Sequence, residues 1–359
     1  MTGKLEEEKM QVYVRLGIRL LYKGAKSKME GNKGPHTFLF FYFILTRNLT
    51  WSPVVRNLLR SMSVKQGIKY DAPESAKDIP AFIDFHNLTT AEILDPIDSF
   101  KNFNEFFYRC VFSLVVIAAQ THTLSSTFLS KLKPDARPVE NPDDPNRLVS
   151  GADCRLMAFE CVNEATRIWI KGREFSVARL LGEAYAGQTD KYNGGALCIF
   201  RLAPQDYHRF HSPVDGKIGK MTYISGEYYT VNVSDHPAQS PLLVNVRFYI
   251  HFQPQAIRTA LDVYGENARK IVPIDSPQFG RVFAVCIGAM MVGSIKTTVE
   301  EGQEIKRGDE FGYFAFGGST IVVLFERGVV EWDEDLLVNG RASLETLVRF
   351  GSGIGRRAQ

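Results

Sequence analysis

The rhythm of apolar and polar positions changes once along the chain, near residue 141. Upstream, apolar residues recur at helical spacing or gather in short runs. Val12 to Leu21 sets Val14, Leu16, Ile18, Leu20 and Leu21 among Arg15, Arg19 and Lys23. Part of this segment alternates, but Leu20-Leu21 breaks the alternation and favours an amphipathic helix, packed on the protein itself or laid on a membrane surface. Thr37 to Leu45 is the most apolar run and Val111 to Ala119 the second. Both are too short to cross about 30 Å of hydrocarbon as a helix. From Val55 to Asn102 the pattern predicts helices punctuated at Asp71-Ala-Pro73, Asp78-Ile-Pro80 and Leu94-Asp-Pro96, with Thr89-Thr-Ala-Glu92 as a capping box. Asp98 to Tyr108 continues the helical, aromatic pattern.

Between Asn141 and Leu324 short strand-like runs alternate with Gly and Pro. Arg167-Ile-Trp-Ile170, Tyr228 to Val233 and Gly280 to Ile287 predict strands, and together they imply an α+β fold with a mainly antiparallel β core. Phe311 to Phe325 is the most informative stretch: two β-branched and aromatic runs broken by Gly317, Gly318 and Ser319. One reading is a β-hairpin turn. The other is a self-cleavage site at the Gly318–Ser319 peptide bond, where a serine hydroxyl held against the preceding carbonyl attacks it and turns amide into ester. Glycine on the carbonyl side tolerates the distorted backbone such attack needs.

Composition narrows the picture only modestly. With 359 residues, 45% hydrophobic and 23% charged, the chain has globular composition and length enough for one large domain or two small ones. A net charge of +3 is too small to point to nucleic acid, though compatible with anionic lipid. Cys110, Cys154, Cys161, Cys198 and Cys286 form no CxxC pair and read as reduced intracellular thiols. The acidic start, with Glu6, Glu7 and Glu8, looks unlike a secretory signal or an Arg-rich presequence. Gly288 to Gly293 lacks the lysine and pattern of a phosphate-binding loop, and its small residues suit close approach of backbone.

Activating a serine near neutral pH calls for a histidine base, oriented by a carboxylate. His208 and His211 stand i, i+3 beside Asp206, a spacing that would share one face of a helix or turn. The bare pattern equally suits a polar loop cluster. Metal binding would need a third ligand, and none stands at a recognisable spacing, so no metal is expected.

Several segments, in order, resemble the phosphatidylserine decarboxylase family: Lys131-Leu-Lys-Pro-Asp-Ala-Arg-Pro138, Gly151-Ala-Asp-Cys154, Asp206-Tyr-His-Arg-Phe-His-Ser-Pro213, Val285 to Ser294 and Gly317-Gly318-Ser319-Thr320. Glu6 to Lys9, Tyr13 to Lys23 and Gln66 to Asp71 are most similar to the fungal, non-mitochondrial type. The resemblance implies a proenzyme that cuts itself at Gly318–Ser319, giving a β chain 1–318 and an α chain 319–359 that stay associated. Ser319 would become a covalent pyruvoyl group, the only cofactor. That ketone would condense with the substrate amine, and its conjugated carbonyl would take up the electrons left as carbon dioxide departs. Asp153 and His211 would serve self-cleavage with Ser319, and His208 the decarboxylation. Asp206, Gly317 and Thr320 would support them, with Asp206 orienting an imidazole. Gly151 stands where the family's aspartate motif has proline, and Asp215, in Pro213-Val-Asp-Gly216, fits that motif literally; chain order favours Asp153.

The implied substrate is phosphatidylserine in a membrane, with the protein peripheral on an endomembrane such as Golgi, endosome or vacuole, and a homo-oligomer is compatible. A soluble decarboxylase of free aromatic amino acids, cytosolic in that case, and an inactive lipid-binding homologue are the alternatives. The expected division is a helical, membrane-facing region 1–140 and a β-rich catalytic core 141–359. Val299 to Phe311 resembles the turn of biotinyl/lipoyl-like β structures. Segments at about 32–54, 110–130 and 246–253 interrupt the resemblance and read as inserts, of the kind retained introns leave.

Overall fold

The computed structural model describes residues 53–93, 95–108, 137–168, 170, 175–203, 205–228, 262–289, 294–315 and 319–359. The amphipathic segment 12–21, the apolar runs 37–45 and 111–119, most of each interruption, the strand expected from Tyr229 to Val233, and Gly317-Gly318 lie outside these residues.

The upstream part is helical where described. Helix α1 (Pro53–Asp71) leads through a 3-10 turn, Pro73–Asp78, into α2 (Ile79–His86). Pro80 sits in the first turn of α2, where its missing N–H is no loss. The short helix α3 (Phe103–Phe107) is capped by Asn102, whose side chain accepts from the Glu105 N–H at 2.9 Å. The aromatic spacing has its consequence here: Phe100, Phe103, Phe106 and Phe107 bury themselves with Ile79 and reach Tyr207 and Phe350 of the β part. The expected capping box at Thr89 does not form. Thr90–Glu92 is a lone 3-10 turn with no side-chain cap, and the Glu92 carboxylate is instead drawn to Arg137 at 3.0 Å and Arg349 at 3.2 Å.

Strands β1 (Arg147–Val149) and β2 (Cys154–Phe159) precede helices α4 (Val162–Ile168) and α5 (Val177–Leu181). Four strands follow: β3 (Leu197–Leu202), β4 (Arg209–His211), β5 (Gly216–Ile218) and β6 (Thr222–Ile224). After α6 (Val263–Glu266) come β7 (Arg269–Ser276), β8 (Gly280–Ile287) and β9 (Ser294–Thr297). The chain continues with β10 (Glu304–Ile305), β11 (Glu310–Ala315), β12 (Ser319–Leu324) and β13 (Val330–Trp332). Helix α7 (Glu334–Arg341), β14 (Thr346–Val348) and β15 (Gly353–Arg357) complete it. Of the strand expected from Arg167 to Ile170, Arg167 and Ile168 end α4, Trp169 lies outside the described residues, and Ile170 is in no strand, its N–H donating to the Ala165 carbonyl at 2.8 Å.

Every ladder joining these strands is antiparallel, which makes the fold α+β. The main sheet runs β10-β5-β7-β8-β12-β3-β2-β14, with β6 also on β7. Its centre is β12, buried at all six positions between β3 and β8. A continuous β-branched run suits a strand covered on both faces, and each buried Val or Leu there contributes about 1.5–3 kcal/mol. Phe311 to Phe325 is therefore not a hairpin. Its first half, β11, joins a separate sheet between β4 and β9, while its second half enters the main sheet.

Candidate active site

Two backbone pairings close a ring around the chemistry. Ser319, the first residue of β12, lies opposite Leu202, the last of β3. The chain then turns: the Asp206 N–H donates to the Ala203 carbonyl at 2.9 Å, and the Asp206 carboxylate accepts the Ala203 N–H at 2.8 Å. Past the turn, the His208 carbonyl accepts the Phe314 N–H at 3.0 Å, and β11 runs on towards Ser319. His208 and Ser319 are thus tied to one end of the main sheet by short stretches of chain.

Both imidazoles are held the same way. His208 Nδ1 lies 2.7 Å from the Asp206 carbonyl, and His211 Nδ1 lies 2.8 Å from that of Gly308. A carbonyl only accepts, so each Nδ1 carries the proton and each Nε2 carries the lone pair that can accept one. Asp206 does orient an imidazole, but through its main chain; its carboxylate also binds Arg155 at 2.7 Å. His208 is fully buried, its ring 4.1 Å from that of Phe107. His211 stacks flat on Phe350, 3.9 Å apart and 2° from parallel, and its Nε2 meets the Tyr207 hydroxyl at 3.3 Å. Burial, partly opposed by the Glu310 charge, drives the His211 imidazole down to about 4, so it is a neutral acceptor at physiological pH. The i, i+3 pair does not share a helical face. His211 lies on β4 and His208 just before it, where residues three apart point to opposite sides.

Asp153 stands elsewhere in the hydrogen-bond network. Its carboxylate is gripped by Arg137, at 2.7 and 3.1 Å, and accepts the Phe350 N–H at 2.9 Å. It makes no hydrogen bond to His211; it meets it through Phe350. The competing Asp215 accepts the Arg307 N–H at 2.8 Å. Arg137, Asp153, Arg155, Asp206, Tyr207 and Arg349 line a cavity of about 420 Å³.

Ser319 is wholly buried, and among the described residues its Oγ has no hydrogen-bond partner. The same holds for Thr320 Oγ1. A buried hydroxyl normally finds a partner, so an orphan at a strand start marks a group held for reaction or repacking. Buried Cys154, Cys198 and Cys286 offer no rival nucleophile, because burial pushes their thiols up and keeps them protonated. Among the described residues no His, Cys, Asp and Glu cluster could hold a metal.

The family model described as phosphatidylserine decarboxylase matches residues 124–356. The chain belongs to the phosphatidylserine decarboxylase family. It is 47% identical over 357 residues to phosphatidylserine decarboxylase proenzyme 3 of Schizosaccharomyces pombe, covering 99% of this chain and 30% of that one. To proenzyme 2 of Komagataella phaffii it is 44% identical over 355 residues, covering 99% and 29%. To the proenzyme of Fusobacterium nucleatum it is 30% identical over 333 residues, 93% of this chain and 95% of that one. The chain thus spans under a third of the length of these two fungal relatives and nearly all of the bacterial one.

Within this family member, sequence reasoning named Asp206, whose carbonyl holds His208, and missed the residues around His211. Tyr207 carried a signal, since it stands four residues before His211 in the same short segment. Gly308, Arg137 and Phe350 carried none visible in spacing, because each arrives from a distant segment.

Proposed function

We propose that this chain is the self-cleaving core of a pyruvoyl-dependent enzyme that decarboxylates phosphatidylserine to phosphatidylethanolamine. The observation carrying the reading is the fully buried, unpartnered Ser319 Oγ at the head of the central strand. The residues fit a pyruvoyl precursor: a buried hydroxyl with no hydrogen-bond partner among the described residues, at the head of β12, and two imidazoles of fixed tautomer on the segment that follows its neighbour β3.

His211 Nε2 takes the hydroxyl proton as Ser319 Oγ attacks the Gly318 carbonyl, breaking the amide and forming an ester. A positioned base of this kind contributes about 10²–10⁴-fold. β-Elimination then breaks the Cβ–O bond of residue 319, releasing Gly318 as a new C-terminal carboxylate and leaving an enamine; its imine tautomer is hydrolysed by one water, which releases ammonia and leaves a keto group at 319. That group supplies an electron sink for the departing carboxylate's bonding pair. His208 Nε2 handles the proton returned to the α-carbon. Asp153 is a positioning residue: with Arg137 it fixes Phe350, and Phe350 fixes the plane of His211. Gly317 and Thr320 flank the scissile bond.

The names of the relatives, with the small polar cavity beside Asp153 and Asp206, favour the phospholipid over free aromatic amino acids. A peripheral seat on an endomembrane suits a lipid substrate. Among the described residues no helix is long and apolar enough to cross a membrane. The division at residue 140, a helical region before it, a biotinyl/lipoyl-like turn at Val299 to Phe311 and the insert character of 32–54, 110–130 and 246–253 belong to the same reading.

The test is a denaturing gel with intact mass on the full chain and on Ser319→Ala, followed by carbon dioxide release from phosphatidylserine vesicles and from free tryptophan. Two fragments divided at 318/319, one uncleaved variant and release from vesicles are expected. A Ser319→Ala chain that splits normally would refute the serine's role.

A further inference from the structure

Strand β11 faces β4 with an irregular register. Tyr313 pairs with Arg209 and Gly312 with Phe210, yet Glu310 rather than Phe311 pairs with His211. The extra residue is a β-bulge, a device that re-aims side chains. Without it, Glu310 would share the face of Gly312 and point with Phe210. With it, Phe311 takes that side and packs on Phe210, ring centres 4.7 Å apart. Glu310 turns to the side of Arg209 and His211, directly across the ladder from the imidazole. Cross-strand partners of this kind stand roughly 5 Å apart at Cβ. Arg209 secures the placement: Nη1 donates to Glu310 at 2.5 Å, Nε donates to the Tyr108 carbonyl at 3.0 Å, and the guanidinium lies 4.9 Å from the Tyr313 ring centre. Its side chain is completely buried, and among the described residues Nη2 has no hydrogen-bond partner. One buried cation is thus left incompletely satisfied while it holds one carboxylate in place.

We propose that Glu310 is the carboxylate that makes His211 basic enough for self-cleavage, and that Arg209 sets how strongly it acts. This rests on the reading of Ser319 and His211 given above, and makes Glu310 a positioning residue that touches neither substrate nor scissile bond. When His211 accepts the Ser319 proton, positive charge appears beside a carboxylate already fixed on the same sheet face. The other groups around the ring leave this role open. Tyr207 offers a hydroxyl to Nε2, Gly308 a carbonyl to Nδ1, and Phe350 an apolar face. Asp153 is bound to Arg137 behind Phe350, and the Asp309 carboxylate accepts the Lys306 N–H at 2.9 Å. Of the charges acting on the imidazole, Glu310 raises its proton affinity and Arg209 lowers it, both against the larger effect of burial.

The experiment pulses the full chain in cell-free translation, shifts pH, and follows fragment appearance from about pH 2 to 8, a range that brackets the limb expected near 4. Glu310→Gln keeps the shape and removes the charge. It is expected to slow cleavage about tenfold on the neutral plateau and to move the acid limb to lower pH, since one nearby charge shifts a titration by about 1–3 units. Glu310→Asp, which keeps the charge, should recover most of the rate. Arg209→Gln, which releases Glu310 from its cation, should move the limb upward, and it decides the matter if Glu310→Gln does not fold. Wild-type limb and plateau in either charge-removing variant that folds overturn the proposal. Ser319→Ala and His211→Ala run alongside: normal cleavage in either one defeats the reading of the site itself, whatever Glu310 does.

Discussion

Removing the Ser319 hydroxyl should make the folded precursor more stable. The Oγ is buried in the main sheet with no hydrogen-bond partner among the described residues. An unpaired buried hydroxyl is unfavourable by about 1–3 kcal/mol, and Ala removes that penalty while leaving a void of only one oxygen. The wild-type chain is the wrong reference, because cleavage changes the molecule. The comparison is therefore between two uncleaved chains, His211→Asn and His211→Asn/Ser319→Ala. Urea unfolding followed by tryptophan fluorescence should show a higher midpoint for the double variant at unchanged slope, with a gain of about 1–3 kcal/mol. Equal midpoints, or a lower one for the Ala chain, would mean that the hydroxyl is satisfied in solution, and the case for a group held ready to react would lose its main support. A gain in that range would fit the general pattern that reactive groups are kept at the expense of stability.

Other outcomes follow from the same geometry. His211 titrates near 4 when folded and near 6.5 when unfolded, so the unfolded chain binds the extra proton between those values. Stability from this group is complete above about pH 6.5 and falls away towards pH 4, by roughly 3 kcal/mol in total; His211→Gln should flatten that part of a stability–pH curve. Arg137→Gln leaves the Asp153 carboxylate half-paired in a mostly buried setting, and a loss of about 3–5 kcal/mol is expected in urea melts. Phe350→Leu keeps an apolar contact but removes the flat stack on His211, so cleavage in a pulse-chase should slow while stability drops by only about 0.5–1.5 kcal/mol. Gly308→Ala should slow cleavage too, because φ is +88° there and an added Cβ would strike Val139, displacing the carbonyl that fixes His211 Nδ1.

Much of this was legible before any coordinates. Gly280–Ile287 reads as a strand and is one to the residue, because alternation and β-branching act locally. The α+β class follows from the change of rhythm near residue 141. Pairing was not legible: β11 and β12 look like the arms of one hairpin, and only the competition of β3, β4, β8 and β9 for their edges sends them into separate sheets. The run Arg167 to Ile170 reads as strand because four residues are too few to set a period, and its first two residues instead continue the helix that begins at Val162. In the proposed site, His208, His211 and Ser319 carry their chemistry in their identity, so motif and chemistry single them out in the sequence. The partners Gly308, Phe350 and Glu310 did not stand out, since a backbone carbonyl, a stacked ring and a bulge-directed carboxylate are made by tertiary structure alone.

The seat of β12 governs what a cut in front of Ser319 can do. Its six residues are laced to β3 on one side and five of them to β8 on the other, and β15, near the chain's end, is stitched to both β1 and β13. Severing the covalent link there leaves the downstream piece woven into the fabric it came from. If the proposed cut is made, the fresh terminus would be held against drifting off, and the carbon that begins by bearing a hydroxyl would stay enclosed where the sheet first put it.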